Sequence, residues 1–361
     1  MSIAVAGGGI IGLTVAWRLA QRGFPVTVFD KGAMGAEASW AGAGMLAPGG
    51  EILATSPIAT LAIEARNIYP SFVRELEEAS RSQIDFEECG ALDLAYSVEE
   101  WRGLEARAAH QTALGIRSEA LDPGRVLSIC SHIRTTGLEG ARFYPGDAIV
   151  NPREIVSALC SICPALGVSL IENRAVESLD SLAAFDAAVV AAGAWSSQIS
   201  TGGLPAAEPV KGHLIGYQQP PGGYRTILRH GHTYLLQRRG GLLIAGSSEE
   251  HVGFDRSVDA RIVRDIAARA AFVLPHLARE TPTEAWTGLR PASAALHTGA
   301  YGAGGRLYLA YGHYRNGILL APITAQLVRE WVTQSRVSMD WDVFNPTRFS
   351  TAKSIQEAAA E

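Results

Sequence analysis

The periodicity of apolar residues predicts a strand, a helix and a second strand within the first thirty residues. Apolar runs over residues 3–6 and 26–29 are typical of buried strands, and the spacing over residues 10–21 is typical of a helix. Gly23 and Pro25 follow the helix, where glycine favours a left-handed C-terminal conformation and proline prevents a further turn. The pattern therefore predicts one βαβ unit at the N-terminus.

Further helices and strands follow along the chain. The apolar spacing predicts a helix over 58–79, with a break at Pro70, and a helix over 152–159, with Asn151 as its N-cap residue. Short apolar runs predict strands over 92–95, 168–172 and 187–192. The helix at 152–159 and the two strands after it repeat the pattern of the N-terminal unit.

Extended runs dominate between Pro209 and Ser248. Four of them predict strands, over residues 214–217, 226–228, 234–237 and 242–245. The turn Arg239-Gly240-Gly241 joins the last two as a hairpin. This part of the chain therefore predicts an antiparallel sheet.

The α/β pattern returns near the C-terminus, with a strand over 307–310, a glycine turn and a helix from about 318 to 333. The fold class is thus α/β, with a Rossmann-like nucleotide-binding domain built from residues 1–55, 145–205 and 285–350. An inserted α+β domain on the antiparallel sheet comprises residues 56–144 and 206–284. Residues 351–361 are a tail that we expect to be frayed.

Composition and charge narrow the class of protein. The 361 residues are 47% hydrophobic and 19% charged, which is typical of a globular chain of about two domains. The 31 Lys and Arg against 36 Asp and Glu give a net charge of −5 without a basic cluster, so nucleic acid is not an expected partner. Four cysteines are too few for a disulfide framework, and this favours a cytoplasmic location. The N-terminal apolar run is too short and too rich in glycine for a membrane span or a signal peptide.

The glycine motif in the first turn carries the clearest chemistry. Gly7, Gly9 and Gly12 have the GxGxxG spacing between a strand and a helix, and Asp30 closes the next strand. The glycines allow the backbone to approach a pyrophosphate at the helix N-terminus, and the acid accepts hydrogen bonds from ribose hydroxyls. The alternative is a chance glycine-rich turn. The motif predicts a dinucleotide and does not distinguish NAD from FAD.

Residues 38–45 are small or polar, as needed where a backbone lies against a flat cofactor. A NAD-binding unit would resume with a long helix here, and a flexible surface loop is the remaining alternative.

Two arginines add candidate anion-binding groups. Arg315 precedes the positive N-terminus of a predicted helix, where a cation is unfavourable unless an anion shares the site, although a solvated loop arginine is the alternative. Arg290 precedes Pro291 in an extended segment, and its planar guanidinium suits a carboxylate.

Other candidate groups favour structural roles. Cys160 and Cys163 have redox-like spacing on one predicted helix face, but no second pair accompanies them, so core packing is expected. His230 and His232 alternate along a predicted strand with no ligand partner nearby, so no metal site is expected. Of Glu249 and Glu250, one could face a substrate ammonium, but a solvated acidic loop is the favoured interpretation.

Six segments are spread across nearly the whole chain: Gly7-Gly8-Gly9-Ile10-Ile11-Gly12, Ala38-Ser39-Trp40-Ala41-Gly42-Ala43-Gly44-Met45-Leu46, Val190-Ala191-Ala192-Gly193-Ala194-Trp195-Ser196, Pro209-Val210-Lys211-Gly212, Trp286-Thr287-Gly288-Leu289-Arg290-Pro291 and Gly312-His313-Tyr314-Arg315-Asn316-Gly317-Ile318-Leu319-Leu320. In sequence and in order they resemble the glycine oxidase and D-amino-acid oxidase family of flavoproteins, in the branch often linked to thiamine biosynthesis. The last two segments are the most specific. Two features depart from the family pattern, which usually has Glu at the position of Asp30 and a longer hairpin in place of residues 177–186.

The resemblance implies that FAD is the cofactor and that the nucleotide-binding domain binds it. Asp30 and Lys31 would hold the adenosine ribose region, Val176 would meet the adenine through its backbone, and Ser39 with Ala43, Gly44 and Met45 would contact the pyrophosphate, ribityl chain and flavin. The remaining implied cofactor-binding residues are Gly7, Gly9, Ile10, Ile11, Gly12, Ala38, Gly193, Gly312, His313, Tyr314, Asn316, Gly317, Ile318 and Leu319.

The resemblance also implies the reaction, an FAD-dependent oxidative deamination of glycine, sarcosine or a small D-amino acid to the 2-oxo acid, ammonia and hydrogen peroxide. Arg290 would be the main carboxylate-binding residue, with Tyr234 and Arg315 beside it, although Tyr234 alone is typical of a sheet aromatic. The last cysteine is Cys163 and the first histidine is His110, so we expect FAD to be bound without a covalent link. The alternatives are a D-amino-acid dehydrogenase, a sarcosine-oxidase-like enzyme, a nicotinamide-dependent dehydrogenase and a non-catalytic flavin-binding subunit. A homo-oligomer is left open.

Overall fold

The computed structural model describes residues 1–52, 55–201, 203–302, 304–334 and 342–346. Its strands are β1 (Ile3–Ala6), β2 (Val26–Phe29), β3 (Met45–Leu46), β4 (Phe86–Glu87), β5 (Ala91–Ala95), β6 (Glu119–Leu121), β7 (Gly140–Tyr144), β8 (Ala148–Val150), β9 (Ser169–Ile171), β10 (Ala187–Val190), β11 (Glu208–Gln218), β12 (Ile227–His230), β13 (Thr233–Gln237), β14 (Leu242–Gly246), β15 (Glu284–Ala292), β16 (His297–Tyr301) and β17 (Leu307–Tyr311). Its α-helices are α1 (Ile10–Ala20), α2 (Ala38–Ala41), α3 (Pro48–Glu51), α4 (Pro57–Ser80), α5 (Val98–Ala113), α6 (Pro123–Ile129), α7 (Pro152–Ile162), α8 (Ala260–Val273) and α9 (Gly317–Thr333).

The chain divides into two compact units. Unit 1 comprises Met1–Ser39, Val156–Pro209 and Arg290–Glu361, and unit 2 comprises Trp40–Ile155 and Val210–Leu289. Each unit is therefore discontinuous in sequence. The assignment of cofactor binding to one predicted domain and substrate binding to the other stays a prediction.

Unit 1 is built on a sheet whose strand order is β16-β17-β10-β1-β2-β9. The pairs from β17 to β9 are parallel, and β16 pairs with β17 in the antiparallel direction. All four residues of β1 are buried, as expected of a strand in a parallel sheet that is covered on both faces. The predicted βαβ unit is confirmed, and the carboxyl end of β1 leads directly into α1.

Unit 2 contains a larger sheet with the order β15-β11-β14-β13-β12-β5-β7-β6. The hairpin between β13 and β14 has the predicted antiparallel pairing. The pair between β12 and β5 is parallel, which the local pattern did not predict because β5 is more than a hundred residues away in sequence. A core of apolar residues, including Leu235 and Ile266, packs between this sheet and α8.

Helices α4 and α9 each contain a proline in their interior. The predicted break at Pro70 is wrong, because α4 continues through it with Tyr69, Phe72 and Val73 buried on one side. A proline inside a helix costs about 3 kcal/mol, and burial of those large side chains offsets this cost. Pro322 lies within α9, beyond its first turn. The predicted start of this helix near residue 318 is correct to one residue.

Candidate active site

The glycine turn between β1 and α1 is shaped by close approaches of the backbone. Gly7 has a φ of +111°, and a Cβ there would overlap the Ala191 carbonyl group. A Cβ on Gly12 would overlap the Gly7 carbonyl oxygen. Only glycine fits at either position. The geometry of the turn alone therefore explains why Gly7 and Gly12, two of the three motif residues, are glycines.

Gly9 differs from the other two motif glycines because space remains around it. Its φ of −74° is ordinary, and a Cβ there would meet only the Ser39 Oγ, at 3.2 Å. Gly9 is the N-cap residue of α1 and offers no side chain to the helix N-terminus, while the Ile10 N–H donates to the Ser39 Oγ at 2.9 Å. An open approach to a helix N-terminus fits the pyrophosphate of a dinucleotide. Ile11, also a predicted cofactor residue, lies in the first turn of the same helix.

Asp30 lies at the end of β2 and is oriented by the same turn. Its Oδ2 accepts the Gly8 N–H at 2.7 Å, and its Oδ1 accepts the Gly32 N–H at 2.9 Å. Burial raises the pKa of Asp30, while these two backbone hydrogen bonds oppose the increase. Each carboxylate oxygen keeps a further lone pair, which is what a pair of ribose hydroxyls needs.

The other residues predicted near the adenosine also lie in unit 1. The Lys31 Nζ lies 3.3 Å from the centre of the Trp195 ring and 3.4 Å from the Glu37 Oε1, so its position is fixed by a cation–π contact and an ion pair. Val176 packs against the core beside Phe29. Gly193 begins a 3₁₀ helix, Gly193–Gln198, and a Cβ on it would meet no atom within 4 Å.

Residues 38–45 do not form the long helix of a NAD-binding unit. Ala38 and Ser39 belong to the four-residue helix α2, and Met45 begins β3, which pairs with β8. Gly44 has a φ of +80°, and a Cβ there would overlap the Val150 carbonyl oxygen, so this position requires glycine. The Ala43 carbonyl accepts a hydrogen bond from the Arg238 Nη2. Side chains and neighbouring strands therefore fix this segment, which is not a free surface loop.

Side-chain contacts fix Trp40 and Ala41, the part of α2 that belongs to unit 2. The Trp286 Nε1 donates to the Ala41 carbonyl at 2.9 Å, and the Arg153 guanidinium lies 3.8 Å from the centre of the Trp40 ring. Burial lowers the pKa of Arg153. Tyr234 lies on β13 in the same unit, and a Cβ on its partner Gly246 would be 2.7 Å from the Tyr234 hydroxyl. Gly246 therefore leaves the space that this hydroxyl occupies.

The structure connects the segments that carry Arg290 and Arg315. Arg290 is half-buried in β15, which continues through Pro291 to Ala292. The Tyr314 N–H donates to the Pro291 carbonyl at 3.0 Å. Arg290 directly precedes Pro291 and Arg315 directly follows Tyr314 in sequence. Both arginines belong to unit 1.

The turn before α9 is supported by a buried histidine. The His313 Nε2 lies 2.9 Å from the Thr324 Oγ1, and burial together with His297 lowers the pKa of His313 to about 3. This imidazole is therefore neutral at physiological pH, and its side chain is too buried to reach a cofactor, so any contact from His313 uses its backbone. Asn316 is the N-cap residue without a side-chain cap bond, and Gly317, Ile318 and Leu319 form the first turn of α9.

Other residues singled out by the sequence have structural partners. The Glu250 Oε1 lies 2.7 Å from the His213 Nδ1, whereas Glu249 is exposed. The His230 Nε2 lies 3.1 Å from the Glu100 Oε1, so the expectation of no nearby ligand partner is wrong for this residue; His232 lies between β12 and β13 and not on a strand. The described residues contain no cluster of metal-ligating side chains, and none of the helices described there is long and apolar enough to cross a membrane.

The two cysteines of the Cys160-x-x-Cys163 pair are separated by the end of a helix. Helix α7 ends at Ile162, so Cys163 lies beyond it and the prediction of one shared helix face is wrong. Burial raises the pKa of the Cys160 thiol to about 11 and that of Cys163 to about 12. Thiols that stay protonated in this way are poor nucleophiles, which fits a role in packing.

Arg238 contacts the predicted flavin-contacting segment, and the sequence analysis did not single it out. It lies directly after β13, is 7% exposed, and reaches the predicted flavin-contacting segment through Ala43. The one signal in the sequence was its position four residues after Tyr234, in the turn that follows the strand of Tyr234. Nothing in the sequence indicates that Arg238 is buried while its neighbour Arg239 is exposed.

Comparisons with known proteins agree with this geometry. Residues 2–331 match the DAO family, described as FAD dependent oxidoreductase. The chain is 30% identical to a glycine oxidase of Geobacillus kaustophilus, over 96% of each chain, and 31% identical to a glycine oxidase of Pseudomonas putida, over 94% of this chain and 96% of that one.

Similarity of structure extends over the same length. The crystal structure of the Geobacillus kaustophilus glycine oxidase matches 96% of this chain and 98% of its own, with a TM-score of 0.89 at 30% identity. The chain is also 31% identical to a bifunctional ThiO/ThiG protein of Synechocystis, of which it matches 54%. The predicted fold class and the choice of FAD over NAD are thereby confirmed. The chain belongs to the DAO family of FAD-dependent oxidoreductases.

Proposed function

We propose that this chain is an oxidase that deaminates a small amino acid, with glycine or N-methylglycine as the first substrates to test. The observation that carries the proposal is the hydrogen bond from the Tyr314 N–H to the Pro291 carbonyl, which ties together the segments of Arg290 and Arg315. A pair of arginines on tethered segments suits a substrate with a carboxylate. Two relatives similar along almost their whole length are named glycine oxidases, and this supports the same substrate class.

The proposed role of Arg290 is to bind the substrate carboxylate through two parallel hydrogen bonds from its guanidinium. Arg315 would add a second positive charge, and Tyr234 would donate its hydroxyl to the same group. Because a half-buried guanidinium is less well hydrated than an exposed one, Arg290 is the member of the set best suited to a strong carboxylate contact. Holding the carboxylate also fixes the orientation of the substrate Cα, which is where oxidation occurs.

We infer that FAD is held by the residues that the sequence predicted. The turn with Gly7, Gly9 and Gly12 would receive the pyrophosphate, and Asp30 and Lys31 the ribose. The remaining proposed contacts are Ile10, Ile11, Ala38, Ser39, Ala43, Gly44, Met45, Val176 and Gly193, together with residues 312–314 and 316–319. Bound FAD would supply the hydride acceptor for oxidation at the substrate Cα, and the α9 N-terminus would stabilise the negative charge that develops on reduction.

The remaining products and partners follow from this chemistry. The substrate loses a proton from its amine and a hydride from Cα, and water hydrolyses the resulting imine to a 2-oxo acid. Glycine or a D-amino acid would release ammonia in this step and N-methylglycine would release methylamine, while dioxygen takes up the two electrons and yields hydrogen peroxide. We further propose that FAD is bound without a covalent link and that the protein acts in the cytoplasm in thiamine biosynthesis. A homo-oligomer stays open, and a measurement of the molecular mass in solution tests it. A D-amino-acid dehydrogenase or a sarcosine-oxidase-like enzyme remains the alternative within the class.

Anaerobic reduction tests the proposal directly. We expect glycine, N-methylglycine or D-alanine to bleach the oxidised flavin absorbance of the purified holoenzyme in the absence of oxygen, and dioxygen to restore it with release of hydrogen peroxide. A simple amine without a carboxylate is the matched control and is expected to bleach the flavin far more slowly.

Three other outcomes would contradict parts of the proposal. Bleaching without recovery in dioxygen would indicate a dehydrogenase with another electron acceptor. No bleaching by any amino acid would overturn the substrate class. Equal bleaching by the amine and the amino acids would show that the carboxylate is not recognised.

A further inference from the structure

The side chain of Arg238 is buried in the turn that follows β13. Its backbone closes the hairpin, because the Arg238 N–H donates to the Leu242 carbonyl at 2.9 Å and the Gly241 N–H donates to the Arg238 carbonyl at 2.9 Å. Arg238 is 7% exposed, whereas the side chain of the next residue, Arg239, is 60% exposed. The chain therefore directs one of two adjacent arginines into the interior of unit 2.

This buried guanidinium is incompletely paired. Its Nη2 donates to the Ala43 carbonyl, but its Nη1 is buried without any hydrogen-bond partner in the described part of the chain. Burial lowers the pKa of Arg238 to about 10, so the group still carries its charge at neutral pH. A buried cation bound only to a neutral carbonyl is unfavourable, which makes a compensating anion the expected neighbour.

The acidic side chains nearest to it do not fill that role. Asp85 and Glu154 both attract Arg238 electrostatically, and neither forms an ion pair with it. The Asp85 Oδ2 accepts the Arg239 N–H at 2.9 Å, and the Glu154 oxygens accept from the Asp85 N–H at 2.6 Å and the Asn151 Nδ2 at 2.9 Å. Their oxygens are thus oriented towards other donors.

The carbonyl group to which the Arg238 guanidinium donates lies in the segment assigned to the flavin. Ala43 accepts its hydrogen bond, and a Cβ on Gly44 would lie 3.0 Å from the Arg238 Nη2. On the other side, the Val150 N–H donates to the Gly44 carbonyl at 2.9 Å. Arg238 and β8 therefore hold residues 43–44 between them.

We propose that Arg238 positions the 43–45 segment and places a fixed positive charge next to the flavin that this segment contacts. The proposal rests on the flavin-binding role proposed above for residues 43–45. A flavin that takes up two electrons and one proton gains one unit of negative charge, and a nearby cation favours that state. Arg238 is thus inferred to raise the reduction potential of the bound FAD.

The test compares three variants of the holoenzyme, Arg238→Lys, Arg238→Gln and Arg238→Met, with Arg239→Gln as the control. The flavin midpoint potential and the rate of FAD release are measured for each. We expect Arg238→Gln and Arg238→Met to lower the two-electron reduction constant at least tenfold, which is about 30 mV. Arg238→Lys keeps the charge and should restore most of the potential, while Arg239→Gln should leave it unchanged.

The conservative variant separates charge from structure. If Arg238→Lys and Arg238→Gln change the potential equally, the charge is not felt by the flavin and the inference is wrong. It is also wrong if the Gln variant keeps the parent potential. Should the Met variant fail to fold, the Lys and Gln variants still decide the question. Failure of the proposed function would instead show as a parent enzyme that no amino acid bleaches, even though the potentials respond as expected.

Discussion

At the scale of single residues, the carboxylate-binding role proposed for Arg290 makes a direct prediction. A charge-assisted pair of this kind contributes about 1.5 to 3 kcal/mol, and its loss also displaces the substrate Cα. Arg290→Leu keeps much of the side-chain volume and removes the charge and all five donors. We expect kcat/KM for amino acids to fall at least ~10-fold in steady-state assays, with the variant folded and yellow.

Two controls make this result specific. Simple amines never use the carboxylate contact, so their oxidation by Arg290→Leu should change little. Arg279→Leu alters an exposed arginine and should resemble the parent for both substrates. If glycine oxidation survives in Arg290→Leu, the carboxylate is held elsewhere and Arg315 is the next candidate; if amine oxidation is lost in parallel, Arg290 is structural.

The buried imidazole of His313 makes a separate prediction about pH. Its pKa is lowered from an ordinary 6.5 to about 3, so between these values the unfolded chain holds a proton that the folded chain lacks. The stability linked to this group is therefore complete above about pH 6.5 and is lost as pH falls towards 3. The slope is up to about 1.4 kcal/mol per pH unit. We expect His313→Asn to flatten the pH dependence of the free energy of unfolding by about this amount in urea titrations.

The comparison needs a histidine that is not buried. His251→Asn changes an exposed residue and should leave the slope as in the parent. A slope that is equally steep in His313→Asn and in the parent would show that His313 is not the group responsible for the loss of stability.

The role of a residue could be predicted from the sequence where a recognisable motif surrounds it. It could not be predicted where the role depends on burial in the folded chain. Asp30 could be predicted as a ribose-binding residue because a strand and a glycine motif precede it. Arg238 was missed because adjacent arginines look alike in sequence, and only the hairpin turn determines which one is buried. The partner of His230 was missed for a similar reason, since Glu100 comes from a helix 130 residues away.

At the scale of elements, we expect substitutions of different glycines in the turn between β1 and α1 to have different effects. Gly12→Ala adds a Cβ that overlaps the Gly7 carbonyl oxygen, so it should destabilise the fold itself. A Cβ at Gly9 would meet only the Ser39 Oγ, at 3.2 Å, among the described residues, so we expect Gly9→Val to keep the fold. Its branched side chain would instead occupy the approach to the α1 N-terminus, so we expect a colourless protein that does not bind FAD.

Circular dichroism and flavin absorbance together check this contrast. Gly9→Val should have the secondary structure of the parent apoprotein without its flavin absorbance, and Gly9→Ala should bind FAD more weakly than the parent. A fully yellow Gly9→Val would mean that the motif is only a structural turn. A Gly12→Ala variant as stable as the parent would contradict the steric argument.

Most elements were predictable because their hydrophobic period is local. The bounds of β1 and β2 agree with the prediction at every residue, since continuous apolar runs mark buried parallel strands. The break at Pro70 was wrong because the packing of the surrounding helix outweighs the local cost of proline. The parallel pairing of β12 with β5 was unpredictable, because no local signal records which distant strand becomes a neighbour.

At the scale of the whole molecule, the order of the family segments predicted the fold class better than any single motif. The glycine motif alone left NAD and FAD open. The match to the family of FAD-dependent oxidoreductases decided for FAD, and the short α2 is unlike the long helix expected of a NAD-binding unit. What the sequence could not supply is the three-dimensional relation of residues far apart in the chain, such as the link between Arg290 and Arg315 through Tyr314 and Pro291.

The last prediction concerns the attachment of the cofactor to the molecule as a whole. A covalent flavin needs a nucleophilic side chain, and burial raises the pKa of the latest cysteine, Cys163, to about 12, which keeps it protonated. We therefore expect acid precipitation of the holoenzyme to leave the yellow colour in the supernatant. Added FAD should also raise the melting temperature of the apoprotein in a concentration-dependent way, because a reversible ligand stabilises the folded state by mass action. Colour retained in the acid pellet, or a melting temperature that does not respond to FAD, would contradict reversible binding.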